Sequence, residues 1–258
     1  METLLLGLLM LAGAPYSKMA PVKQYRMAAA DEISMARSAA PPAIAEQATV
    51  LVLGAEGYDE AAKGRNGFVC LVARSWATDL GDAEFWNPKI RAPICYNPPA
   101  ARSLLPGYLQ RTRDVLAGRA PTPTGARPEV ASMSYMLSPH SYLADNAGHW
   151  LPHLMFYLPK TDGAAWGAGV EGSPGMVHNS DTEPVTVFMV PVRQWSDGSP
   201  APNEAMRVDL EGPRRYYTVW TVQYASKGHK RKTPAAGRGG DPGGSAGREG
   251  VDAGRRGG

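Results

Sequence analysis

The chain has 258 residues, which suit one large domain or two small ones, and 43% of them are hydrophobic, enough for a sizeable core. The formal charge of +3 arises at the C-terminal end, where residues 226–258 hold eight Lys or Arg against three acids, a net charge of +5, and leave −2 for the rest. A nearly neutral folded part excludes a general basic surface for nucleic acid, so we expect no nucleic-acid partner.

Residues 1–20 resemble a secretion signal. Leu4 to Ala14 is an apolar run of the length of a signal core, and Ala12-Gly13-Ala14 is a small-residue cleavage site. The run is shorter than the roughly 20 residues that a membrane span needs, so no stable span is expected. The pattern predicts export to the periplasm or the extracellular space. The first three residues lack Lys and Arg, which leaves open a true start upstream or an internal start of translation. The alternative to a signal is a buried N-terminal helix.

Cys70 and Cys95 are the only cysteines. In an exported protein a single disulfide between them is the natural pairing, and its loop of about 25 residues would contribute roughly 3 kcal/mol of stability. The alternative is a pair of buried thiols, because Cys70 lies within an apolar, strand-like run.

The first third of the chain predicts a helix and two strands. Apolar residues recur every three or four positions from Pro21 to Ala40, which predicts a helix that Pro41 ends. Residues 48–53 and 68–74 read as strands, and residues 56–63 as a short helical or turn segment. So short a connection predicts that the two strands pair antiparallel.

The middle of the chain predicts a long ordered loop over residues 76–99 and then the most regular helix, residues 100–118. Pro106 either kinks this helix or occupies the first turn of a shorter one, and Gly118 is placed to cap its end. The remaining predictions are a linker at residues 119–129, strands at 131–137, 149–158, 185–192 and 216–224, a helical turn at 161–169 around Trp166, and a loop at 170–184.

These elements predict a single α+β domain over residues 21–225, with a mostly antiparallel sheet and two main helices packed on one of its faces. Residues 226–258 are rich in Gly and Arg and nearly devoid of large apolar side chains, so we expect a disordered tail. A shifted reading frame near the end of the gene would explain the same composition, and would put the order of residues 200–225 in doubt.

His149 and His153, in the run Gly148-His149-Trp150-Leu151-Pro152-His153, are the strongest candidates for chemistry. Their spacing would place both on one face of a helix, as in metalloproteases, but Pro152 and the apolar run that follows favour a strand. In a strand they would lie roughly 13 Å apart, too far for one divalent metal ion unless the chain bends at Pro152. The alternative for His153 is a partly buried imidazole bonded to the backbone or to a carboxylate.

Three neighbours complete the predicted ligand site: Tyr142, Asp145 and Trp150. His140, His178 and Asp162 are further candidate metal ligands, although their spacing matches no metal signature. Within residues 21–225 no nucleophile motif such as G-x-S-x-G occurs, so no catalytic residue is assigned.

Several short motifs resemble a family of uncharacterised bacterial proteins that carry secretion signals. They are Asn66-Gly67-Phe68-Val69-Cys70, Phe85-Trp86-Asn87-Pro88-Lys89 and Gly148-His149-Trp150-x-Pro152-His153-Leu154-Met155-Phe156. The resemblance covers roughly residues 20–200 and implies export, but no activity.

The sequence therefore favours an exported domain that binds a small molecule or an envelope partner through His149, Trp150, His153, Tyr142 and Asp145. The alternative is a metal-dependent or hydrolase-like enzyme that uses His149 and His153.

Overall fold

Eight strands form one sheet in the computed structural model, which describes residues 16–121, 123, 128, 130–142, 151–170, 173, 175–179 and 184–201. In sheet order β2-β1-β3-β4-β5-β6-β8-β7, every neighbouring pair is antiparallel except β1 and β3. The strands are β1 Thr49–Leu53, β2 Tyr58–Ala62, β3 Val69–Ala73, β4 Ala92–Tyr96, β5 Ser132–Met136, β6 His153–Pro159, β7 Met176–Asn179 and β8 Val185–Pro191. This confirms the predicted mostly antiparallel sheet.

Four helices accompany the sheet: α1 Ala29–Arg37, α2 Pro42–Ala45, α3 Pro98–Ser103 and α4 Leu105–Leu116. Short 3-10 turns lie at Val22–Gln24, Ser75–Ala77 and Ala164–Trp166, the last within the turn predicted around Trp166. Among the described residues no helix is both long and apolar enough to cross a membrane. The predicted signal segment up to residue 15, the strand at 216–224 and the tail at 226–258 lie outside the described residues.

The prediction of an antiparallel pair between β1 and β3 was wrong, because residues 56–63 contain a strand instead of a helical turn. β2 folds back on β1, and its hairpin is closed by the bond from the Gly54 N–H to the Gly57 carbonyl. The chain then returns to the start of β1, where the Arg65 N–H donates to the Gln47 carbonyl. It therefore enters β3 in the direction of β1, and the two strands pair in parallel.

Two further strands were missed because their composition is that of loops. β4 lies within the segment predicted to be irregular, yet all five of its residues are buried, and Pro93 is accommodated opposite Val72. β7 lies within the loop predicted at 170–184 and is only four residues long. The hydrogen-bonded partners of β4 and β7 identify them as strands, whereas their own sequences do not.

The two halves of the predicted helix at 100–118 are separate helices that meet at Leu104. Pro106 occupies the first turn of α4, as one of the two alternatives predicted, where its missing N–H costs no intrahelical bond. Gly118 follows the helix with φ +70°, the left-handed conformation that glycine adopts at helix ends. The helix predicted at 21–40 is likewise shorter and is confirmed only for α1.

Helices pack on both faces of the sheet, not on one as predicted. Successive residues of a strand point to opposite faces. On one face Cys70 and Val72 of β3 join Ala36 of α1 and Ala45 of α2 in a core cluster. On the other face Leu71 and Ala73 join a larger cluster that contains the buried residues of α3 and α4, including Ala100, Leu105, Tyr108 and Val115.

A buried ion pair joins the two layers at the end of β3. Arg74 is fully buried and donates to Glu32 of α1 over 2.7 Å and to the Tyr25 carbonyl over 2.6 Å. The same Glu32 oxygen accepts the Leu53 N–H of β1. The Arg74 backbone N–H donates to the Tyr108 hydroxyl of α4. One residue pair thus fixes α1, β1 and α4 relative to β3.

We predict that Glu32→Leu costs about 3–5 kcal/mol of the free energy of unfolding, because it leaves the Arg74 charge buried without its partner. The double variant Glu32→Leu/Arg74→Met should cost clearly less, since it removes both buried charges. Urea unfolding of the two variants and the wild type measures the difference. Equal losses in the single and double variants would show that packing, not the unpaired charge, sets the cost.

The predicted disulfide is present between Cys70 and Cys95, which lie directly opposite each other in β3 and β4 and are fully buried. Register explains the pairing, because each cysteine points to the α1 side of the sheet at the same ladder position.

Replacing both cysteines with alanine should lower the free energy of unfolding by about 3 kcal/mol, the value expected for a closed loop of this length. Unfolding in guanidinium with and without reductant provides the measurement. Reductant should destabilise the wild type and leave the double alanine variant unchanged; an equal response of the two proteins would contradict the assignment.

Candidate functional site

Tyr142 is anchored beside the guanidinium of Arg91. The two residues exchange both backbone hydrogen bonds, over 2.8 and 3.1 Å. The Arg91 side chain donates to the carbonyls of Pro88, Ile90 and Gln24. Burial lowers the pKa of Arg91 to about 10, so it stays charged at neutral pH. Tyr142 is half-buried and is the last residue described before the gap at 143–150.

His153 opens β6 and is buried, with 1% of its surface exposed. Its Nδ1 lies 2.6 Å from the Leu151 carbonyl, which can only accept, so Nδ1 carries the hydrogen. Burial in an apolar layer lowers the pKa of His153 to about 4. The ring is therefore neutral at physiological pH, and its bond to a backbone carbonyl agrees with the alternative of an imidazole bonded to the backbone.

The other three predicted site residues, Asp145, His149 and Trp150, lie outside the described residues, so their part in a ligand or metal site stays a prediction. Both ends of their segment are fixed. Tyr142 is paired with Arg91, and the Pro152 carbonyl accepts the Val192 N–H over 2.8 Å.

The further candidate ligands belong to separate parts of the fold. His140 is exposed after β5, Asp162 is exposed and accepts the Ala164 N–H, and His178 of β7 lies 3.5 Å from Asp79. Within the described ranges no three His, Cys, Asp or Glu side chains are grouped as metal ligands would be.

A pocket of about 290 Å³ lies on the opposite face of β6 from His153. Alternation along the strand explains this, because His153 and Leu154 are neighbours and point to opposite faces. The pocket shares its face with α1 and α2. Four of its lining residues are apolar: Pro41, Leu137, Leu154 and Val192. The other three carry polar groups: Tyr135, Arg193 and Gln194.

Several chain segments converge to build the pocket. Tyr135 and Leu154 are direct partners across β5 and β6 and form its floor. The Leu137 N–H donates to the Ala39 carbonyl, which ties the end of β5 to the turn before Pro41. The Ser196 N–H donates to the Leu137 carbonyl and holds the segment after β8 against the same wall. Backbone bonds thus define the walls, which makes the pocket a preformed feature of the fold.

The pocket lies on the opposite face of β6 from the candidate His153, and Tyr142 is not among its described lining residues. It depends on Leu154 and on residues from segments distant in the sequence. Alternation in β5 and β6 could have identified Tyr135 and Leu154 as neighbours. The approach of Pro41 and residues 192–194 has no local signal, since it depends on the order of strands in the sheet.

Comparison of the chain with family models, with curated proteins and with solved structures gives no match.

His153 should make folding stability depend on pH between 6.5 and 4. Its pKa is lower in the folded than in the unfolded protein, so its neutral form contributes full stability above pH 6.5. That contribution is lost as the pH falls towards 4, up to about 3 kcal/mol. Urea unfolding at pH 7.5, 5.5 and 4.5 measures the loss.

His153→Gln is the control, because it should remove this part of the pH dependence while other titrating groups keep theirs. An NMR titration of the His153 ring that gave a pKa near 6.5 would contradict the prediction.

Proposed function

We propose that the protein is an exported domain that binds a small molecule in the pocket lined by Leu154 and Tyr135. The observation that carries this proposal is the pocket itself. Its volume of about 290 Å³ lies near the lower end of the range typical of small-molecule sites, roughly 300–1,000 Å³. Apolar walls with a few polar groups are also the usual composition of such sites.

A small ligand is favoured over an envelope protein because the site is concave and small. A stable protein partner usually buries about 800 Å² on each side, over 20 to 30 residues, far more than seven lining residues provide.

The Cys70–Cys95 disulfide supports the export part of the proposal, since disulfides persist mainly in oxidising compartments. The signal-like run at Leu4 to Ala14 points the same way.

His153 is better suited to support this site than to catalyse a reaction. It is neutral at physiological pH, it is buried, and its side chain faces away from the pocket. Its bond to the Leu151 carbonyl instead fixes the backbone at the start of β6.

The binding of N-phenyl-1-naphthylamine, a neutral dye that fluoresces in apolar surroundings, tests the proposal. We expect saturable binding of one dye per wild-type protein and at least tenfold weaker binding to Val192→Trp, because the indole would fill the pocket. Fluorescence titration measures both, and thermal unfolding verifies that the variant is folded.

Val170→Trp is the matched control. It adds the same side chain to an exposed valine outside the pocket lining, so dye binding should be unchanged. Unchanged binding to Val192→Trp, or equal loss in both variants, would refute the assignment of the pocket.

A further inference from the structure

Polar residues line the pocket from two sides of β6. Arg193 and Gln194 follow β8 and form one polar end, whereas Tyr135 comes from β5, on the other side of β6. The remaining lining residues are apolar: Pro41, Leu137, Leu154 and Val192. A ligand that fits this arrangement is itself divided, with an apolar body and a polar end.

Among the residues that the structure describes, the Tyr135 hydroxyl, the Arg193 guanidinium and the Gln194 amide make no side-chain hydrogen bond or ion pair. The nearest acid in the chain, Asp197, is exposed, and its carboxylate accepts from the Ser199 N–H and hydroxyl over 2.8 and 2.6 Å. The Arg193 charge is therefore not neutralised by its own turn.

The backbone holds Arg193 in place even though its side chain is exposed. The Ala201 N–H donates to the Arg193 carbonyl, and Gln194 bridges to Pro200. Val192, directly before it, is bonded to the Pro152 carbonyl. The cation is consequently presented at a fixed edge of the pocket.

We propose that the pocket takes a small monocarboxylate with an apolar body, and that Arg193 binds its carboxylate. This inference rests on the proposed function and names the ligand class for the same site. A guanidinium is the side chain best shaped for a carboxylate, because it offers two parallel N–H donors. The neighbouring Gln194 amide supplies a further donor, while the apolar lining residues contact the body of the ligand.

Displacement of the bound naphthylamine dye by octanoate and by 1-octanol tests the ligand class. The two compounds share an eight-carbon chain and differ in charge. Octanoate should bind wild-type protein about tenfold more tightly than octanol, the range expected for a charge-assisted hydrogen-bond pair. Arg193→Gln should weaken octanoate binding about tenfold and leave octanol binding unchanged, and Arg193→Lys should restore part of the loss.

Arg102→Gln is the matched control. Arg102 is an exposed arginine of α3 on the other face of the sheet, so its replacement should not affect the binding of either compound.

Dye binding distinguishes failure of the carboxylate inference from failure of the proposed function. Equal binding of octanoate and octanol, or no displacement by octanoate while the dye still binds, overturns the carboxylate inference and leaves the pocket as a binding site. Absence of dye binding to the wild type overturns the proposed function itself. Replacing octanoate with 3-phenylpropanoate then shows whether alkyl or aryl acids fit better.

Discussion

The architecture depends on one buried pair of charges, Arg74 and Glu32. Burial of two ions is costly, and it is tolerated here because every contact also satisfies a backbone group: the Tyr25 carbonyl, the Leu53 N–H and the Val72 carbonyl. Since these groups belong to separate segments, the pair specifies their relative positions more strongly than apolar packing would. Apolar side chains can slide past each other, whereas hydrogen bonds are directional. The Glu32 Oε2 atom has no hydrogen-bond partner among the described residues, so Oε1 alone links Arg74 to the Leu53 N–H.

The sheet continues from β3 to β7, and its two faces differ in how completely helices cover them. The face with α3 and α4 is a continuous core that also takes in Tyr157 of β6 and Val185 of β8. On the other face α1 and α2 cover only the first strands, and the cluster there is made mostly of small residues such as Ala36, Ala39 and Ala45. The pocket lies where this cover ends. It is a consequence of short helices on a wide sheet.

The sequence was a good guide wherever local pattern and tertiary structure agree. β1, β3 and β8 are apolar runs, β5 alternates, α4 has a clear apolar stripe, and the cysteine pairing was expected from composition and the predicted export.

Sequence prediction failed where the position of a strand in the sheet outweighs its local pattern. Tyr58–Ala62 is polar because it forms an edge, and Ala92–Tyr96 contains a proline yet is central and buried. The pocket has no local signal either, because Leu154 is an ordinary strand residue by type, whereas the histidine beside it attracts attention by type although it is buried and neutral.

The position of the disulfide has a consequence for recognition. Cys95 pairs with Tyr135 across β4 and β5, so the covalent crosslink lies one strand from the pocket floor. A wall held by a crosslink and by backbone bonds has little conformational freedom left to lose when a ligand arrives. Binding then carries a small entropic penalty from the protein, and even a ligand of few atoms can retain most of its contact energy as affinity. Rigidity on this side of the sheet is thus what would let so small a cavity be selective.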